Sequence, residues 1–441
     1  MRVSIIAAFF LLSGSLMAQR SFSLQEALDY SAKNGYQYRL SEMDLEKAKQ
    51  KVKETIAIGL PQVNAKASYQ NFLKQPVQVV PAEFFGGQAG EFAEVIFGTK
   101  QNASAEISAS QLLFDGSYIV GLQATKAFVR LSEEQVEKSK LDTKVAVAEA
   151  YSLVLAAQEN VRILSDNQES MEKMLLETKA MYDIGFVAEE DVDQLDITVS
   201  RVKSKIKNAE NQVKIAMSLL KFRMGVPIDV EILLTDNVEG LITTTSSPMD
   251  MSGGMSFSRN INVSLARTNA TLQKLSMKNA KAGYLPRVAA FASYQQNSFA
   301  NDFNFLNPEA KWFPTAVVGL NLDIPIFSSG MKHQKVAQAK VEYQKARVQE
   351  RMAKEGARLE FETASTEYLN AQEIFQLEKR NLALSKKVKE TTSIKFKEGL
   401  SSSFELVQSE SQLAQSQGAY IQSIILLLNA KTKLDKALNR L

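Results

Sequence analysis

The chain repeats a long passage of its own sequence, and the two copies lie about 214 residues apart. One apolar stripe occurs in both copies with the same alternating spacing of three and four residues. Its members are Val147, Ala150, Val154, Ala157 and Val161 in the first copy and Phe361, Ala364, Tyr368, Ala371 and Phe375 in the second. A turn of the pattern aromatic-x-x-Gly-hydrophobic also recurs, at 182–186 and 396–400. Duplication on this scale is typical of a protein built from repeats and rare in enzymes.

Alternating apolar and polar residues also come in related pairs. A Leu-Pro dipeptide precedes such a segment at 63–70, and another precedes 287–297. Two further segments, 103–114 and 317–326, alternate in the same way. Each has about the length of a tilted strand that crosses a bilayer. The sequence therefore predicts four amphipathic strands.

Proline positions predict where long helices can form. No proline occurs between residues 82 and 226 or after residue 325, and proline breaks helix interiors. These intervals predict two helical hairpins, at 117–224 and 330–441. Glycines at 185 and 399 suit the turns, because glycine readily adopts the left-handed conformation that ends a helix. A second apolar line runs beside the first stripe, so we expect each long helix to pack against neighbours on two sides.

These elements define an expected organisation of the whole chain. A signal peptide occupies 1–19, a first repeat 20–225 with strand pair 62–114, a linker 226–256, and a second repeat 257–441 with strand pair 287–327. A shorter helix precedes each strand pair, at about 23–57 and 257–281. The signal peptide is predicted from Arg2, an apolar run of eight residues and small residues before position 19. A membrane-anchored N-terminus is the alternative.

Composition argues against several classes of function. The net charge is only +3 with no long block of one sign, which does not favour nucleic acid as a partner. A single histidine and no cysteine argue against a transition-metal site. Neither a phosphate-binding glycine loop nor a nucleophile motif occurs. We therefore expect no enzyme activity and no cofactor.

Four strands cannot close a barrel, and an open sheet in lipid would leave backbone groups unpaired. Several chains must then share one barrel, and three chains would contribute twelve strands. The predicted fold is mainly α with a small β part: long coiled-coil helical hairpins plus four amphipathic strands per chain, in a trimeric α/β barrel.

The sequence resembles the TolC-like outer membrane efflux proteins over essentially all of the expected mature chain. The resemblance is carried by the duplicated order of helix, Leu-Pro, strand, loop, strand, long helix, glycine turn and helix, and by the turn motif followed by Asp191-Val192 or Glu405-Leu406. It implies a homotrimeric channel in the bacterial outer membrane that extends into the periplasm. Such a channel passively conducts cargo from an inner-membrane pump, for efflux or type I secretion.

The resemblance also implies two functional regions. A periplasmic adaptor would dock on Ile184, Gly185, Phe186, Glu398, Gly399 and Leu400. Asp191, Glu405 and Gln408 would form the constriction of the periplasmic entrance, where an acidic ring would attract cations. Relatives commonly carry a second acid where this chain has Gln408, and a phenol where it has Phe396. The acids at 189–193 also fit an ordinary helix start, and the glycines fit ordinary helix stops.

Two other functions stay open at the level of sequence. A periplasmic adaptor of the same machines would carry one long hairpin with small β domains, and a coiled-coil stalk would leave the strand alternation unexplained. Aromatic residues in the loops at about 72–101 and 298–315 fit either packing within surface loops or a belt at the membrane interface. We expect a mixture of the two, with Trp312 and Phe313 nearest to the belt.

Overall fold

A computed structural model describes residues 20–245 and 259–441. The predicted signal peptide and part of the predicted linker lie outside these residues. The described residues pack as two compact units, one of 20–43, 134–245, 259–264 and 352–441 and one of 44–133 and 265–351. Each unit draws on both sequence repeats, so the repeats are units of sequence and not of packing.

Helices account for most of the described chain. Their bounds are α1 Leu24–Asn34, α2 Tyr36–Ala57, α3 Gly116–Asp183, α4 Glu189–Met224, α5 Val238–Thr245, α6 Ile261–Ala282, α7 Met331–Lys397 and α8 Ser403–Ala437. The 68 residues of α3 span about 100 Å at the usual rise of an α-helix. The predicted helix at 23–57 is two helices, because Gly35 ends α1. The predicted hairpins agree with α3–α4 and α7–α8 to within a few residues at each end.

The long helix α3 begins directly after a strand because an aspartate satisfies its first amides. The Oδ1 atom of Asp115 accepts hydrogen bonds from the backbone N–H of Ser117 at 2.7 Å and of Tyr118 at 3.1 Å. Carboxylates stabilise a helix start in this way, through both hydrogen bonding and the helix dipole.

Both predicted apolar lines on α3 are buried in their middle part. Val147 and Val154 from the first line are 0 % exposed, and Tyr151 and Leu155 from the second are 0 % and 3 % exposed. The helix is therefore packed on two sides at this level. The same cluster contains the second stripe, from Ala364 to Phe375 on α7.

One antiparallel sheet contains the four predicted strands. They are β2 Gln62–Asn71, β5 Gln101–Asp115, β7 Arg287–Ala300 and β8 Phe313–Asp323, and they lie in the order β2-β5-β7-β8. β8 ends before the predicted residue 326, since Pro325 has no N–H to donate. β5 is longer than predicted and contains an irregularity between Leu112 and Phe114.

The register divides the sheet into an apolar and a polar face. The apolar face carries Val63, Ala65 and Ala67 of β2, Ala105, Ile107 and Ala109 of β5, Val288, Ala290 and Ala292 of β7, and Val318, Leu320 and Leu322 of β8. Val318 on this face is 85 % exposed and Leu320 is 70 % exposed. The opposite face carries mainly hydroxyl, amide and charged side chains, including Ser68 and Ser104, whose hydroxyls lie 2.7 Å apart.

The first long loop contains structure that the sequence reasoning missed. A hairpin of β3 Val77–Pro81 and β4 Phe92–Ile96 lies within it, joined through a 3-10 turn at Ala82–Phe85. β3 is only five residues long, and its alternation is limited to Val77, Gln78 and Val79. So short a pattern cannot be distinguished from a loop.

The sheet register places Phe313, which was expected near an aromatic belt, on the polar face. Phe313 pairs with Asn297 in the register and packs against Phe299 at 6.1 Å between ring centroids, on the polar face. On the apolar face, Tyr69 instead contacts two rings of the second loop, Phe303 at 5.6 Å and Phe305 at 5.8 Å. Side chains alternate between the two faces of a strand, so the position of an aromatic residue in that alternation decides its face. The number of aromatic residues in a loop does not indicate it.

The predicted linker 226–256 also contains ordered elements. β6 Ile232–Leu234 pairs in parallel with β1 Arg20–Phe22, and α5 follows it. Strands of three residues carry almost no periodic signal, and their partners lie more than 200 residues apart in sequence.

A tyrosine of α3 holds this small sheet. The Tyr151 hydroxyl lies 2.9 Å from Asp236 Oδ2 and 3.0 Å from the carbonyl oxygen of Phe22. The same Asp236 oxygen accepts a hydrogen bond from the backbone N–H of Leu24 at 2.6 Å. Burial raises the pKa of Tyr151, and so does the hydrogen bond to Asp236. The neutral phenol therefore ties the start of the chain and the 232–236 segment to the long helix.

Within the described residues, no helix combines the length and the apolar character needed to cross a membrane.

Replacing Tyr151 by phenylalanine should lower the free energy of unfolding by about 1–3 kcal/mol, because it removes the hydrogen bonds of a buried hydroxyl to Asp236 and to the Phe22 carbonyl. Thermal and denaturant unfolding of the detergent-solubilised protein would measure this. Tyr36→Phe is the matched control, since that ring is 48 % exposed. Equal stability of the two variants would contradict the role given to the Tyr151 hydroxyl.

Candidate functional site: the paired helical turns

The two helical hairpins turn through the same backbone geometry. Gly185 and Gly399 adopt left-handed conformations with φ of +78° and +73°. In the first turn the N–H of Phe186 donates to the Met181 carbonyl at 2.9 Å, and in the second the N–H of Leu400 donates to the Lys395 carbonyl at 2.8 Å. This hydrogen bond from the residue after the glycine is the Schellman end of a helix. A side chain at either glycine would strain the turn.

Large apolar side chains are exposed around both glycines. Ile184 is 70 % exposed and Phe186 77 % in the first turn, and Leu400 is 73 % and Phe404 71 % in the second. Glu398 is also exposed. Exposed apolar side chains that cluster at one end of a molecule often mark a surface for a protein partner.

A small apolar core lies beneath the turns and joins both hairpins. It is formed by Met171, Met174 and Leu175 of α3, Leu195 and Val199 of α4, Phe396 of α7 and Leu406 of α8. An ion pair of 2.5 Å between Lys397 and Glu177 also links α7 to α3. The two predicted docking turns therefore belong to one packed end of the same unit.

The position of Phe396 explains why it lacks the hydroxyl expected from the resemblance. Phe396 is 4 % exposed in this core, whereas its counterpart Tyr182 is 42 % exposed. A buried hydroxyl without a partner is costly. The aromatic ring at this position of the second turn is thus used for packing.

The acids predicted for the constriction occupy equivalent places. Asp191 and Glu405 are each the third residue of their helices, α4 and α8. The Asp191 carboxylate accepts the backbone N–H of Ala188 at 3.2 Å. The Glu405 carboxylate accepts a hydrogen bond from the Ser401 hydroxyl, and its backbone N–H donates to Ser402 Oγ at 3.3 Å.

Exposure separates these two acids. Glu405 and Gln408 are exposed on α8, while Asp191 is half-buried. Asp191 thus caps the start of α4, as expected if the acids at 189–193 belong to an ordinary helix start. Glu405 keeps its side chain at the surface together with Gln408.

A buried polar cluster lies farther along the helices from the turns, and the sequence reasoning missed it. Lys389 of α7 donates to Ser170 Oγ of α3 at 2.7 Å and lies 4.0 Å from the carboxylate of Glu410 on α8. The other oxygen of Glu410 accepts from the Asn167 amide. Lys389 and Glu410 are 8 % and 5 % exposed. The cluster therefore joins three of the long helices through charges removed from water.

The cluster borders a cleft of about 220 Å³ whose lining includes Asn167, Ser170, Lys389 and Gln417. Burial lowers the pKa of Lys389, and the neighbouring Glu410 opposes that shift. A buried pair of this kind is destabilising when one partner is removed.

A signal for this cluster does exist in the sequence. The buried stripe of α7 continues beyond Phe375 through Leu382, Ser385, Lys389 and Ser393 to Phe396, with spacings of three and four residues after Leu382. A lysine on an otherwise apolar or small seam indicates a buried polar partner. The sequence could not identify which acid of α8 faces it.

Among residues 20–245 and 259–441, no group of three or more metal-ligating His, Cys, Asp or Glu residues occurs.

Replacing Lys389 by methionine should cost about 3–5 kcal/mol of unfolding free energy, because Glu410 would remain buried without its countercharge. The double variant Lys389→Met/Glu410→Met should recover most of that loss. Lys433→Met is the control, since its 2.8 Å ion pair with Glu367 also joins α8 to α7 but is half exposed, and it should cost less than about 1 kcal/mol. Equal effects of the two single changes, measured by denaturant unfolding, would refute the special cost of the buried pair.

Comparison with known proteins gives relatives that are similar in sequence over part of their length. Outer membrane protein TolC of Vibrio cholerae is 24% identical over 241 residues, which cover 54% of this chain and 54% of that protein. Proteases secretion protein PrtF of Dickeya chrysanthemi is 20% identical over 226 residues, covering 50% and 47% of the two chains. The matched region thus spans about half the length of these curated relatives.

Solved structures share the fold over more of the chain. The crystal structure of CusC, described in connection with transmembrane channel formation, superposes with a TM-score of 0.72 at 16% identity. The superposition covers 94% of this chain and 92% of CusC. At this identity the likeness establishes the fold.

The family model for outer membrane efflux proteins matches residues 32–226 and 257–440. These two segments contain both helical hairpins, all four strands of the large sheet and both glycine turns. The chain therefore belongs to the outer membrane efflux protein family.

Proposed function

We propose that the protein is a homotrimeric channel of the bacterial outer membrane, continued by a helical tunnel into the periplasm. It conducts cargo passively for an efflux or type I secretion system. An inner-membrane pump supplies the cargo, and a periplasmic adaptor connects that pump to the channel. Membership of the outer membrane efflux protein family and the secretion role named for the relative PrtF support this proposal.

The single observation that carries the proposal is the open sheet. Within the described residues, β2 and β8 are its edges, and each has a strand neighbour on one side only. Strand directions alternate across the four strands. With an even number of strands, β8 of one chain and β2 of the next also run in opposite directions. Several copies can therefore continue the antiparallel pattern until it closes.

The apolar face explains why closure would take place in lipid. Val318, Leu320 and Leu322 are more than half exposed on the edge strand. An exposed apolar edge strand in water would promote aggregation. In a bilayer the same side chains face hydrocarbon, and the paired backbone avoids unsatisfied groups. The polar face then lines a water-filled lumen.

The paired turns fit the roles of entrance and docking site. We assign adaptor docking to Ile184, Gly185, Phe186, Glu398, Gly399 and Leu400. The exposed apolar side chains of Ile184, Phe186 and Leu400 and the shared left-handed glycine conformation of the two turns support this assignment. We assign the constriction to Asp191, Glu405 and Gln408. Exposure of Glu405 and Gln408 supports it, and the capping role of Asp191 makes that residue the weakest member.

The alternative functions lack a comparable observation. A periplasmic adaptor with one hairpin does not need two hairpins packed on a common core. A coiled-coil stalk does not need a sheet with separate apolar and polar faces.

The protein should be recovered in outer membranes as a trimer that dissociates on heating, and should form ion-conducting pores in planar bilayers. Membrane fractionation, heated and unheated gel electrophoresis and single-channel recording measure these properties. Recovery as a soluble periplasmic monomer without conductance would contradict the channel.

Replacing Glu405 by lysine should lower the cation-to-anion permeability ratio of the reconstituted pore, because three ammonium groups would replace three carboxylates at the entrance. The ratio follows from the reversal potential in a salt gradient. Asp193→Lys is the matched control, since that acid is exposed near the start of α4 but is not assigned to the constriction. An unchanged ratio for Glu405→Lys would remove Glu405 from the entrance.

A further inference from the structure

Charged residues in the large sheet occupy only two rows, both on the polar face. The four strands contain five charged residues, which are Lys66, Glu106, Asp115, Arg287 and Asp323. Every other residue of these strands is apolar or neutral. The charged residues are thus concentrated in two rows of the sheet, and the two rows differ in their surroundings.

The row at the helical end of the sheet has a structural role. Arg287 lies opposite both Asp115 and Asp323, and its Nε atom is 3.8 Å from the Asp115 carboxylate. Asp115 also caps α3. These charges are therefore engaged where the strand passes into the long helix.

The second row lies farther from the helices and has no such role. Lys66 of β2 lies directly opposite Glu106 of β5, and the row continues through Gln295 of β7 and Thr315 of β8. Lys66 is exposed and Glu106 is half-buried. Opposed residues of an antiparallel pair have Cβ atoms about 4.5–5.5 Å apart, so the two opposite charges act on the same region of solvent.

The rows on either side carry no charge. Asn64 and Ser68 precede and follow Lys66 on the polar face of β2, and Ser104 and Ser108 flank Glu106 on β5. A charge on Lys66 is therefore compensated by Glu106 alone among the neighbours in the sheet.

We propose that Lys66 and Glu106 form a charge-balanced ring in the lumen of the barrel. In a trimer, three ammonium groups and three carboxylates alternate around this ring. Its net charge is zero, so the barrel passes cations and anions alike and leaves charge selection to the helical entrance. This inference rests on the proposed channel function.

The physical reason is the range of an electrostatic field in salt solution. A ring of one sign attracts ions of the opposite sign and excludes the others. The fields of opposite charges on neighbouring strands, about 4.8 Å apart, largely cancel at distances beyond that spacing. Salt screens the remainder beyond the Debye length, which is about 8 Å at physiological ionic strength. Cargo that carries either charge, or both, then meets no net barrier in the barrel.

Ion selectivity of the reconstituted pore tests the proposal, with the reversal potential in a potassium chloride gradient as readout. Lys66→Gln leaves three uncompensated carboxylates and should shift the pore towards cations. Glu106→Gln leaves three ammonium groups and should shift it towards anions. The swap Lys66→Glu/Glu106→Lys restores zero net charge and should retain the wild-type reversal potential. Glu405 is unchanged in every variant.

The outcomes separate the inference from the function on which it rests. Opposite shifts of the single variants with an unshifted swap support the ring. Conducting single variants with the wild-type reversal potential overturn it and leave the channel function intact. A wild-type protein that forms no pore overturns the channel function and the ring together.

A labelling experiment keeps the test decisive if a charge variant fails to assemble. The chain contains no cysteine, so Lys66→Cys provides a unique thiol. Reaction of the open pore with a positively charged methanethiosulfonate reagent should return the reversal potential to the wild-type value, and a negatively charged reagent should move it farther towards cations. Absence of any current response to either reagent would overturn the placement of Lys66 in the lumen.

Discussion

The structure depends on a sheet whose two edge strands leave backbone hydrogen-bonding groups without partners. Four antiparallel strands present one apolar face and two edges, and within the described residues no further strand pairs with those edges. Backbone N–H and C=O groups need partners wherever water is excluded. An even number of alternating strands allows identical copies to supply these partners. The trimer we propose would meet this requirement.

The sequence duplication meets the same requirement. One copy contributes two strands and one helical hairpin, and neither a barrel nor a packed hairpin end can be built from that alone. In the helical unit, the apolar stripes of both copies meet in one core. Below the turns, a second core again combines residues from both hairpins. The copies differ where their tasks differ: Phe396 is buried in that core, whereas Tyr182 is exposed.

Much of this fold could be predicted because its signals are long and periodic. The strands appeared in two-residue alternation, and the long helices appeared in proline-free intervals that end at Gly185 and Gly399. The turns of the candidate site were therefore located to the residue. Short or non-local features could not be found in this way. β1 and β6 have three residues each, and Lys389 needs a partner on another helix that no local pattern identifies.

The closed ring of three chains is the central claim, and cysteine cross-linking between edge strands tests it most directly. One cysteine on β2 and one on β8 of the same chain are three strand spacings apart, about 14 Å, which no disulfide can bridge. Oxidation of membranes that contain such double variants, scanned along both strands, should give covalent dimers and trimers and no larger species. Exclusively monomeric products, or a ladder that continues beyond three chains, would contradict the closed trimer.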